Sequence, residues 1–510
     1  MSLVPELQAD AVAVAPARRV VRAWPLIEPI ALLGLCCALF ALVQFGTGAL
    51  VDNDGYYHVT MGRLIRERGL TPDFVWLPLT ILNRGAFYDH HMLFHVYLAL
   101  FAGDGRPDQM ILGAKIASVI MPSLAFLAVW RLLRAQGIRW AALWTLGLFA
   151  VSQAFLFRMS MTRAQSASLL VLILGLHWLL QRRYARLIPL GFVYVWLYNA
   201  FPLLLVAAAV YAGAALITER RIEWRALAYP ALGIALGLVL NPYFPRDLRF
   251  IAEHLAPKIG APATSVGNEW YPYDTWTLIG NSGLALAAWL LGALALAWRG
   301  RRIDRPTLTA LALSVAFGFL LFKSRRFVEY FPAFALIFAA LSVAPAIEEW
   351  WRGRPRLRRL APFLAAAALA LPLGISVAQA RAGMAAQSIP AGTYADASRW
   401  LAANTPPGSM VFQTDWDDFP LLFFHNTANV YTAGLDPTFM QEHDPALYDE
   451  WVKITRGQVA RPAAEIRAKF GAAYILTDLQ HQAFLDRAKA DPRLQEVYRD
   501  RYAAIFAVRD

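Results

Sequence analysis

Long runs of apolar residues separated by short basic segments are the main pattern along this chain. The first run covers residues 26–50 and a later one covers 111–130. Each supplies the roughly 17–25 nearly uncharged residues that a helix needs to cross a hydrocarbon core about 30 Å thick. We therefore predict a mostly α polytopic membrane protein with about eleven membrane-spanning helices. Their predicted bounds are 27–49, 109–130, 140–157, 165–180, 187–199, 202–217, 226–243, 276–298, 307–322, 327–346 and 360–380.

The arginine-rich segments between these runs predict which side of the membrane each loop faces. The positive-inside rule places such segments in the cytoplasm, together with the N-terminal residues 1–26. They lie at residues 131–139, 182–186, 220–225, 299–305 and 352–359. We therefore expect the remaining connections to face outward. These are residues 51–108, 158–164, 244–275 and the segment 385–510.

The apolar stretch at residues 93–102 is too short to cross a membrane. Counting it as a span would invert every later loop, so we predict an interfacial or re-entrant segment. The first apolar run follows the basic residues Arg18, Arg19 and Arg22, as in a signal peptide, but it is too long for one and more spans follow. We interpret it as an anchor that stays.

Composition agrees with a membrane protein, since 58% of the 510 residues are hydrophobic and only 16% are charged. The net charge of +12 would suggest nucleic acid as a partner in a soluble protein. Here the basic loops account for it, and we expect no nucleic-acid partner. Both cysteines, Cys36 and Cys37, lie in the first predicted span, so the sequence offers no disulfide framework and no cysteine metal site.

The composition changes after about residue 385 to that of a soluble domain. Short β-type runs alternate there with helical stretches. The runs lie at residues 410–413, 430–432, 474–477 and 502–508. We predict a transmembrane domain over 27–384 and a small extracytoplasmic α/β domain over 385–510.

Acidic residues follow the first predicted span directly. Asp52 and Asp54 precede Tyr56 and His58, and two carboxylates at a membrane exit suit a divalent cation or a base acting on an acceptor hydroxyl. A solvated turn that caps a helix is the alternative.

Arginines at two predicted outer junctions break the positive-inside pattern. Arg325 and Arg326 form one group with Lys323, and Arg158 and Arg163 form the other. A lipid phosphate or diphosphate is an obvious partner for such guanidinium groups. Alternatives remain open: the first group suits snorkelling anchors, and the second suits charge balance within the bundle or pairing with the aspartates.

Three weaker candidates complete the set. Glu269 is a lone carboxylate in the predicted outer loop, which by itself reads as a loop residue. Trp416 and Asp417 lie just after a β-type run and suit an acceptor-binding site or an Asp-capped turn. The segment 89–95 (Asp, His, His, then a further His) has metal-ligand residue types, and we weigh a zinc site against neutral interfacial histidines.

Taken in chain order, these segments resemble the catalytic subunit of oligosaccharyltransferase, especially its bacterial single-subunit form, within the C superfamily of membrane glycosyltransferases. The residues Asn53-Asp54-Gly55-Tyr56 look like that family's first external loop, whose Asp binds metal and acceptor. The stretch 326–332 is similar to the family's Arg-Phe…Tyr…Pro segment, whose Arg holds the donor diphosphate. Glu269 stands where the family has the Glu of a mobile external loop, and residues 415–417 resemble its Trp-Trp-Asp block.

The resemblance implies a role for each candidate. Catalytic roles fall to Asp52, Asp54 and Glu269; phosphate binding to Arg158, Arg163, Arg325 and Arg326; and acceptor binding to Tyr56, His58, Trp416 and Asp417. A divalent cation, Mg²⁺ or Mn²⁺, would be held by Asp54 and Glu269. The chain departs from the family where Gln165 and Ala167 replace an acidic pair, and where Asp415 replaces the first Trp. The missing acidic pair favours a monophosphate donor with metal dispensable.

We therefore expect a glycosyltransferase that moves a sugar from a polyprenyl phosphate or diphosphate carrier to a glycan, lipid or protein acceptor. The resemblance implies a bacterial plasma (inner) membrane, with transfer on its outer face. The alternatives are a lipid or sugar transporter (flippase), against which the lack of evident inverted repeats argues, and a non-catalytic relative of the fold. Release of polyprenyl phosphate from a sugar-loaded carrier separates the three.

Overall fold

Helices dominate the computed structural model, which describes residues 27–259, 267–300, 302–351 and 354–509. The helices of the first three quarters of the chain are α1 Ile27–Gln44, α2 Asn53–Arg68, α3 Met92–Ala99, α4 Pro107–Ala135, α5 Ala141–Leu146, α6 Leu148–Val151, α7 Gln153–Ser160, α8 Gln165–Leu180, α9 Leu187–Leu197, α10 Pro202–Glu219, α11 Trp224–Val239, α12 Arg246–Ile259, α13 Thr275–Arg299, α14 Arg305–Lys323, α15 Phe331–Trp350 and α16 Pro355–Ala386. The N-terminal residues 1–26, predicted to be cytoplasmic, lie outside the described residues.

Within that described part, seven helices are long and apolar enough to cross a membrane, namely α1, α4, α10, α13, α14, α15 and most of α16. An eighth span results if the bent pair formed by α5–α6 and α7 counts as one. Large apolar side chains on these helices face outward, among them Leu294, Phe319 and Phe363 at 65, 74 and 73% exposure. Exposed apolar surface of this kind suits lipid rather than water, so the chain is a multi-pass membrane protein.

The remaining three predicted spans coincide with α8, α9 and α11. These apolar helices are shorter, with 16 residues in α8, 11 in α9 and 16 in α11. An α-helix rises about 1.5 Å per residue, so they reach at most about 24 Å. Each predicted run therefore coincides with a helix or with the bent pair, although several bounds differ by a few residues, and the count of eleven crossings stays a prediction.

The predicted span 140–157 is broken, because α7 turns away from α5–α6 by 93°. Ser152 caps the start of α7 by accepting a hydrogen bond from the Phe155 amide at 3.0 Å. Its hydroxyl also bonds the Ser282 hydroxyl at 2.8 Å, and Ser282 lies at a kink within α13. The break before α7 and the kink in α13 are thus joined by a hydrogen bond. Because α7 points in a new direction after its break, it brings Arg158 towards the candidate active site.

The predicted interfacial segment 93–102 forms α3, an eight-residue helix. At about 12 Å it is too short to cross a membrane, as expected. It packs closely on α2 at Gly62, where an added Cβ would lie 3.2 Å from the Ala99 nitrogen and the His95 oxygen. This close approach brings the polar residues of α2 and α3 within hydrogen-bonding distance of each other.

Segments predicted to be cytoplasmic contact one another through ion pairs. Glu219 pairs with Arg182 and, at 3.1 Å, with Arg305. Arg299 and Glu349 approach to 3.5 Å. These contacts join the turns that follow α8, α10 and α13, as the predicted topology requires. Which face is outside stays a prediction.

The C-terminal segment adds the helices α17 Ala395–Asn404, α18 Phe419–His425, α19 Pro437–His443, α20 Pro445–Thr455, α21 Pro462–Phe470 and α22 Gln482–Ala490. Its five-stranded sheet contains β3 Met410–Gln413, β4 Val430–Tyr431, β5 Tyr474–Asp478, β6 Leu494–Arg499 and β7 Ala503–Val508, in the order β4-β3-β5-β7-β6. The strand β3 pairs in parallel with β4 and β5, and β7 pairs antiparallel with β5 and β6. The four predicted β-runs are strands, and β6 is an additional edge strand with mostly polar, exposed residues.

This segment shares one hydrophobic core with the loop after the first span. The Trp76 ring lies 4.8 Å from Phe423, and its indole donates to the Thr427 carbonyl at 2.9 Å. Phe74 joins the same core. A two-stranded pairing of β1 Leu50–Val51 with β2 Ser388–Ile389 ties the end of α1 to the end of α16. The loop and the C-terminal segment therefore form one packed layer, and a domain boundary near residue 385 stays a prediction.

Candidate active site

The two aspartates after the first span are positioned by β1 and by the start of α2. Asp52 occupies the position before the helix with a φ of 76°, a left-handed conformation that is uncommon for residues other than glycine. Asp54 lies in the first turn of α2, where the helix dipole favours a negative charge. The sharp exit from β1 thus directs both carboxylates towards the same neighbour.

That neighbour is Arg163, in the tight turn between α7 and α8. Its guanidinium forms an ion pair with Asp52 and contacts the Asp54 carboxylate at 2.7 Å and the Glu269 carboxylate at 3.4 Å. One guanidinium group therefore holds three carboxylates that come from two separate loops. The Arg163 side chain is only 16% exposed, so water screens these charges weakly.

Glu269 connects this group to two further arginines. One carboxylate oxygen accepts from Arg158 at 2.9 Å, and the other accepts from Arg326 at 3.1 Å. Burial acts to raise the pKa of Glu269, but Arg326, Arg158 and Arg163 outweigh it and hold the pKa well below its ordinary value. A carboxylate with such partners stays charged, so it is poorly suited to act as a base and well suited to hold the arginines.

The loop that carries Glu269 is fastened to the turn after α14. Ser324 donates to the Glu269 carbonyl at 2.8 Å, and the Arg325 amide donates to the Tyr271 carbonyl at 2.9 Å. The indole of Trp270 lies beneath the Arg326 guanidinium, 4.9 Å from it. These contacts fix Arg326 and Glu269 relative to each other.

Arg325 and Arg326 were both predicted to bind phosphate, but they have different surroundings. The Arg325 guanidinium donates to the Pro272 carbonyl at 3.0 Å and lies 5.1 Å from the Tyr273 ring. It lines neither of the cavities described next. Successive residues of the short 3₁₀ turn Arg325–Glu329 point in different directions, so only the second arginine reaches the site.

Two cavities meet at the ionic cluster. The smaller, about 400 Å³, is lined by Asp52, Asp54, Arg158, Arg163, Glu269, Trp416, Asp417 and others. The larger, about 470 Å³, is lined by Asp54, His58, His91, Arg163, Tyr198, Glu269, Trp270, Arg326, Tyr330 and others. Asp54, Arg163 and Glu269 line both, so they form the wall between the two cavities.

Predicted acceptor residues divide between these cavities and the core. Trp416 and Asp417 line the smaller one, where the Asn53 amide donates to the Asp417 carbonyl at 2.8 Å. Burial, followed by the nearby Asp52 and Asp415, raises the pKa of Asp417 to about 7.

His58 lines the larger cavity, as Arg326 does, so it lies in a different cavity from Trp416 and Asp417. Tyr56 lines neither: it is fully buried, and its hydroxyl donates to the Ile389 carbonyl at 2.7 Å. Positions 54 and 58 share one face of α2, whereas position 56 points to another. Tyr56 therefore lies away from both cavities, and its acceptor role stays a prediction without a contact to support it.

Two residues contact the arginines of the site although no role was predicted for either of them. Glu329 is fully buried and accepts from Arg158 Nε at 2.8 Å, and the Tyr198 hydroxyl bonds Arg326. Glu329 is an isolated charge at the start of an apolar run, which is a usable signal because buried charges require partners. Tyr198 ends a predicted span on the same side, but its spacing alone does not distinguish it from other interfacial tyrosines.

The carboxylates do not fit a divalent cation. Among the described residues, no three His, Cys, Asp or Glu side chains are placed to hold a metal ion. Asp52, Asp54 and Glu269 converge on a guanidinium group, so a positive charge already lies where a cation would be bound. Gln165 and Ala167 occupy the places where the family has an acidic pair, so these positions supply no further carboxylate ligands.

Comparisons with known proteins place this fold. Neither a protein-family model nor a curated protein matches the sequence. The apo oligosaccharyltransferase of Archaeoglobus fulgidus superimposes with a TM-score of 0.65 at 14% identity, over 91% of this chain and 71% of that one. ArnT from Cupriavidus metallidurans, bound to undecaprenyl phosphate, gives 0.56 at 16% identity over 94 and 97%. The arabinofuranosyltransferase AftD from Mycobacteria gives 0.57 at 16% over 94 and 40%. These similarities confirm the fold that the resemblance implied.

Proposed function

We propose that this chain is a membrane glycosyltransferase that moves a sugar from a polyprenyl phosphate carrier to an acceptor hydroxyl or amide. The observation that carries the proposal is the position of Asp54, which lines both cavities. One cavity holds Arg326, and the other holds Trp416 and Asp417. A carboxylate between an anion site and a second polar pocket suits a base that acts where two substrates meet.

The larger cavity suits the donor headgroup. Arg326 lines it with Tyr198, and Arg163 lines its wall. Guanidinium groups in a partly dry site bind phosphate strongly. Structures of the same fold support this assignment, since ArnT is bound to undecaprenyl phosphate and the Archaeoglobus fulgidus enzyme to a dolichol-phosphate.

The smaller cavity then takes the acceptor, beside Trp416 and Asp417. The acceptor oxygen or nitrogen attacks the anomeric carbon of the sugar as the bond from that carbon to the phosphate oxygen breaks. Asp54 takes the proton of the acceptor, and the departing polyprenyl phosphate carries the developing charge to Arg326. Burial raises the pKa of Asp54 to about 8, with Arg163 acting against it and Asp52, Asp417 and Glu269 acting with it. A carboxyl with a pKa near 8 is a stronger base than an exposed aspartate.

Arg163 supplies the positive charge beside these carboxylates, and no step requires a metal ion. It limits repulsion between Asp52 and Asp54 and keeps them together as the substrates bind. Glu269 acts as a positioning residue, because it joins Arg158, Arg163 and Arg326 and keeps Arg326 directed into the donor cavity. We further propose that the site faces outward from a bacterial plasma membrane, with a single phosphate on the donor.

The test is transfer by the purified full chain in lipid bilayers. Undecaprenyl phosphate-linked glucose, mannose and galactose are offered with an acceptor extract, and released undecaprenyl phosphate is measured. We expect release from at least one donor, absent with Asp54→Asn. Movement of an intact sugar-lipid between leaflets without release would instead support a transporter, and binding without release would support a non-catalytic relative.

A further inference from the structure

A chain of three buried polar side chains ends at the donor cavity and has no part in the steps above. Asp89 precedes α3, His95 lies within α3, and His58 lies on α2. The Asp89 carboxylate bonds His95 Nδ1 at 2.7 Å, and His95 Nε2 bonds His58 Nδ1 at 2.7 Å. Asp89 and His95 are 2 and 0% exposed. The ring nitrogens bond one another in series, so they do not converge as the predicted zinc ligands would.

The His58 end of this hydrogen-bonded series is the feature that points to a ligand. A polar network that serves only the core has its groups satisfied within the core. His58, however, lines the larger cavity together with Arg326. Its Nδ1 is already bonded to His95, so Nε2 is the ring nitrogen left for a ligand. His58 also lies one helical turn from Asp54, on the same face of α2.

The carboxylate at the buried end sets the direction of each bond. A carboxylate accepts, so His95 Nδ1 carries a proton, and a neutral His95 ring then presents a lone pair at Nε2. His58 then donates from Nδ1 to that lone pair, which leaves a lone pair on its own Nε2. Burial is the largest cause that lowers the pKa of His58 well below its ordinary value, and it favours the neutral His58 ring that this arrangement needs.

We propose that Asp89 and His95 are positioning residues that fix the tautomer of His58, so that His58 Nε2 accepts a hydrogen bond from a hydroxyl group of the donor sugar. The proposal rests on the proposed function for the identity of the ligand. A lone pair repels phosphate oxygens, which are acceptors themselves, and attracts a hydroxyl, which donates. The donor cavity therefore has two kinds of contact: Arg326 for the phosphate and His58 for the sugar.

The tautomer is tested without any turnover, by ¹⁵N NMR of the full chain labelled at histidine in lipid bilayers. We expect the proton of His58 on Nδ1, with Nε2 unprotonated. The His58 signal is assigned by its loss in His58→Gln. A proton found on His58 Nε2 would overturn the proposal, because the ring would then present a donor to the cavity.

Two substitutions at one position test the consequence for binding. His95→Gln keeps an N–H donor group and a carbonyl acceptor on a single amide and should preserve the direction of these hydrogen bonds. His95→Leu has neither group. We expect His95→Leu to weaken binding of undecaprenyl phosphate-linked sugar by about three- to tenfold, the effect of one neutral hydrogen bond, while His95→Gln stays near wild type.

Undecaprenyl phosphate without a sugar is the matched control ligand. Its affinity, measured by native mass spectrometry, should be the same in wild type and in both His95 variants, because Arg326 holds the phosphate. Equal weakening of both ligands by His95→Leu would overturn the sugar contact and indicate a general structural effect. If none of the sugar-lipids is turned over but these binding differences remain, the proposed reaction fails and the histidine chain stands.

Discussion

Arg163 donates to Asp54 at 2.7 Å, and the same guanidinium reaches Glu269 at 3.4 Å. One arginine guanidinium thus lies between carboxylates that come from two separate segments of the chain. This relationship links the two cavities.

Removing the central charge should let a cation bind once the carboxylate side chains rearrange around it. In Arg163→Ala, Asp52, Asp54 and Glu269 are left facing one another, and like charges at short distance favour cation binding. We expect Mn²⁺ to bind this variant, seen by electron paramagnetic resonance and by a raised unfolding temperature, and not to bind wild type. Wild-type turnover should persist in a chelator. Loss of wild-type turnover in EDTA with recovery on adding Mn²⁺ would contradict the assigned role of Arg163.

Asp54→Asn should abolish sugar transfer, with a loss of about 10² to 10⁴-fold in kcat, because an amide cannot take the acceptor proton. Release of undecaprenyl phosphate from the sugar-lipid measures it. Asp52→Asn is the matched comparison, since Asp52 also pairs with Arg163 but lines only the smaller cavity. Equal loss in both variants, or near-normal turnover in Asp54→Asn, would remove Asp54 as the base.

Arg325 and Arg326 provide a pair of neighbours with the same charge and different surroundings. Arg326→Ala should reduce donor binding and turnover by about 100-fold, because a charged hydrogen bond to phosphate is lost in a partly buried site. Arg325→Ala should have a much smaller effect, since its guanidinium contacts the Pro272 carbonyl instead. Equal losses from the two substitutions would indicate that surface charge, and not the cavity position, matters.

The pH dependence of turnover should follow the Asp54 carboxyl. A base is active when deprotonated, so kcat/KM should rise with pH and level off above about 8, the pKa to which burial raises this group. Asp417→Asn removes a nearby negative charge and should move the midpoint to lower pH. Turnover that falls between pH 6 and 8 would contradict Asp54 as the base.

Hydropathy predicted the helices well because the cost of exposing backbone polar groups to lipid sets their length. The predicted run 165–180 coincides with α8 at both ends. The break at Ser152 was not predicted, since its cause is a capping hydroxyl and a partner serine 130 residues away. Ser152 and Gln153 are the polar pair at that break, but two polar residues in an apolar run do not by themselves predict a 93° bend.

The candidate residues were predicted by type more successfully than by partner. Asp54, Arg163, Glu269 and Arg326 do line a common cavity, because charges near a bilayer are few and tend to be gathered. Which carboxylate each arginine pairs with depends on loop geometry that the sequence does not encode locally. Tyr56 shows the same limit, because it lies only two residues after Asp54 on α2 but faces the core, whereas Asp54 lines a cavity.

The aromatic layer around Trp76 and Phe423 has a consequence for biosynthesis. The residues of this layer that follow α1 are synthesised early, and those in the C-terminal segment are synthesised only after α16. The layer therefore packs together last. A chain that stops before residue 385 would leave Phe74 and Trp76 uncovered at the ends of finished helices. Such truncated chains should be degraded even though their helices are inserted. The C-terminal segment expressed alone should aggregate, because its half of the aromatic layer would then be uncovered.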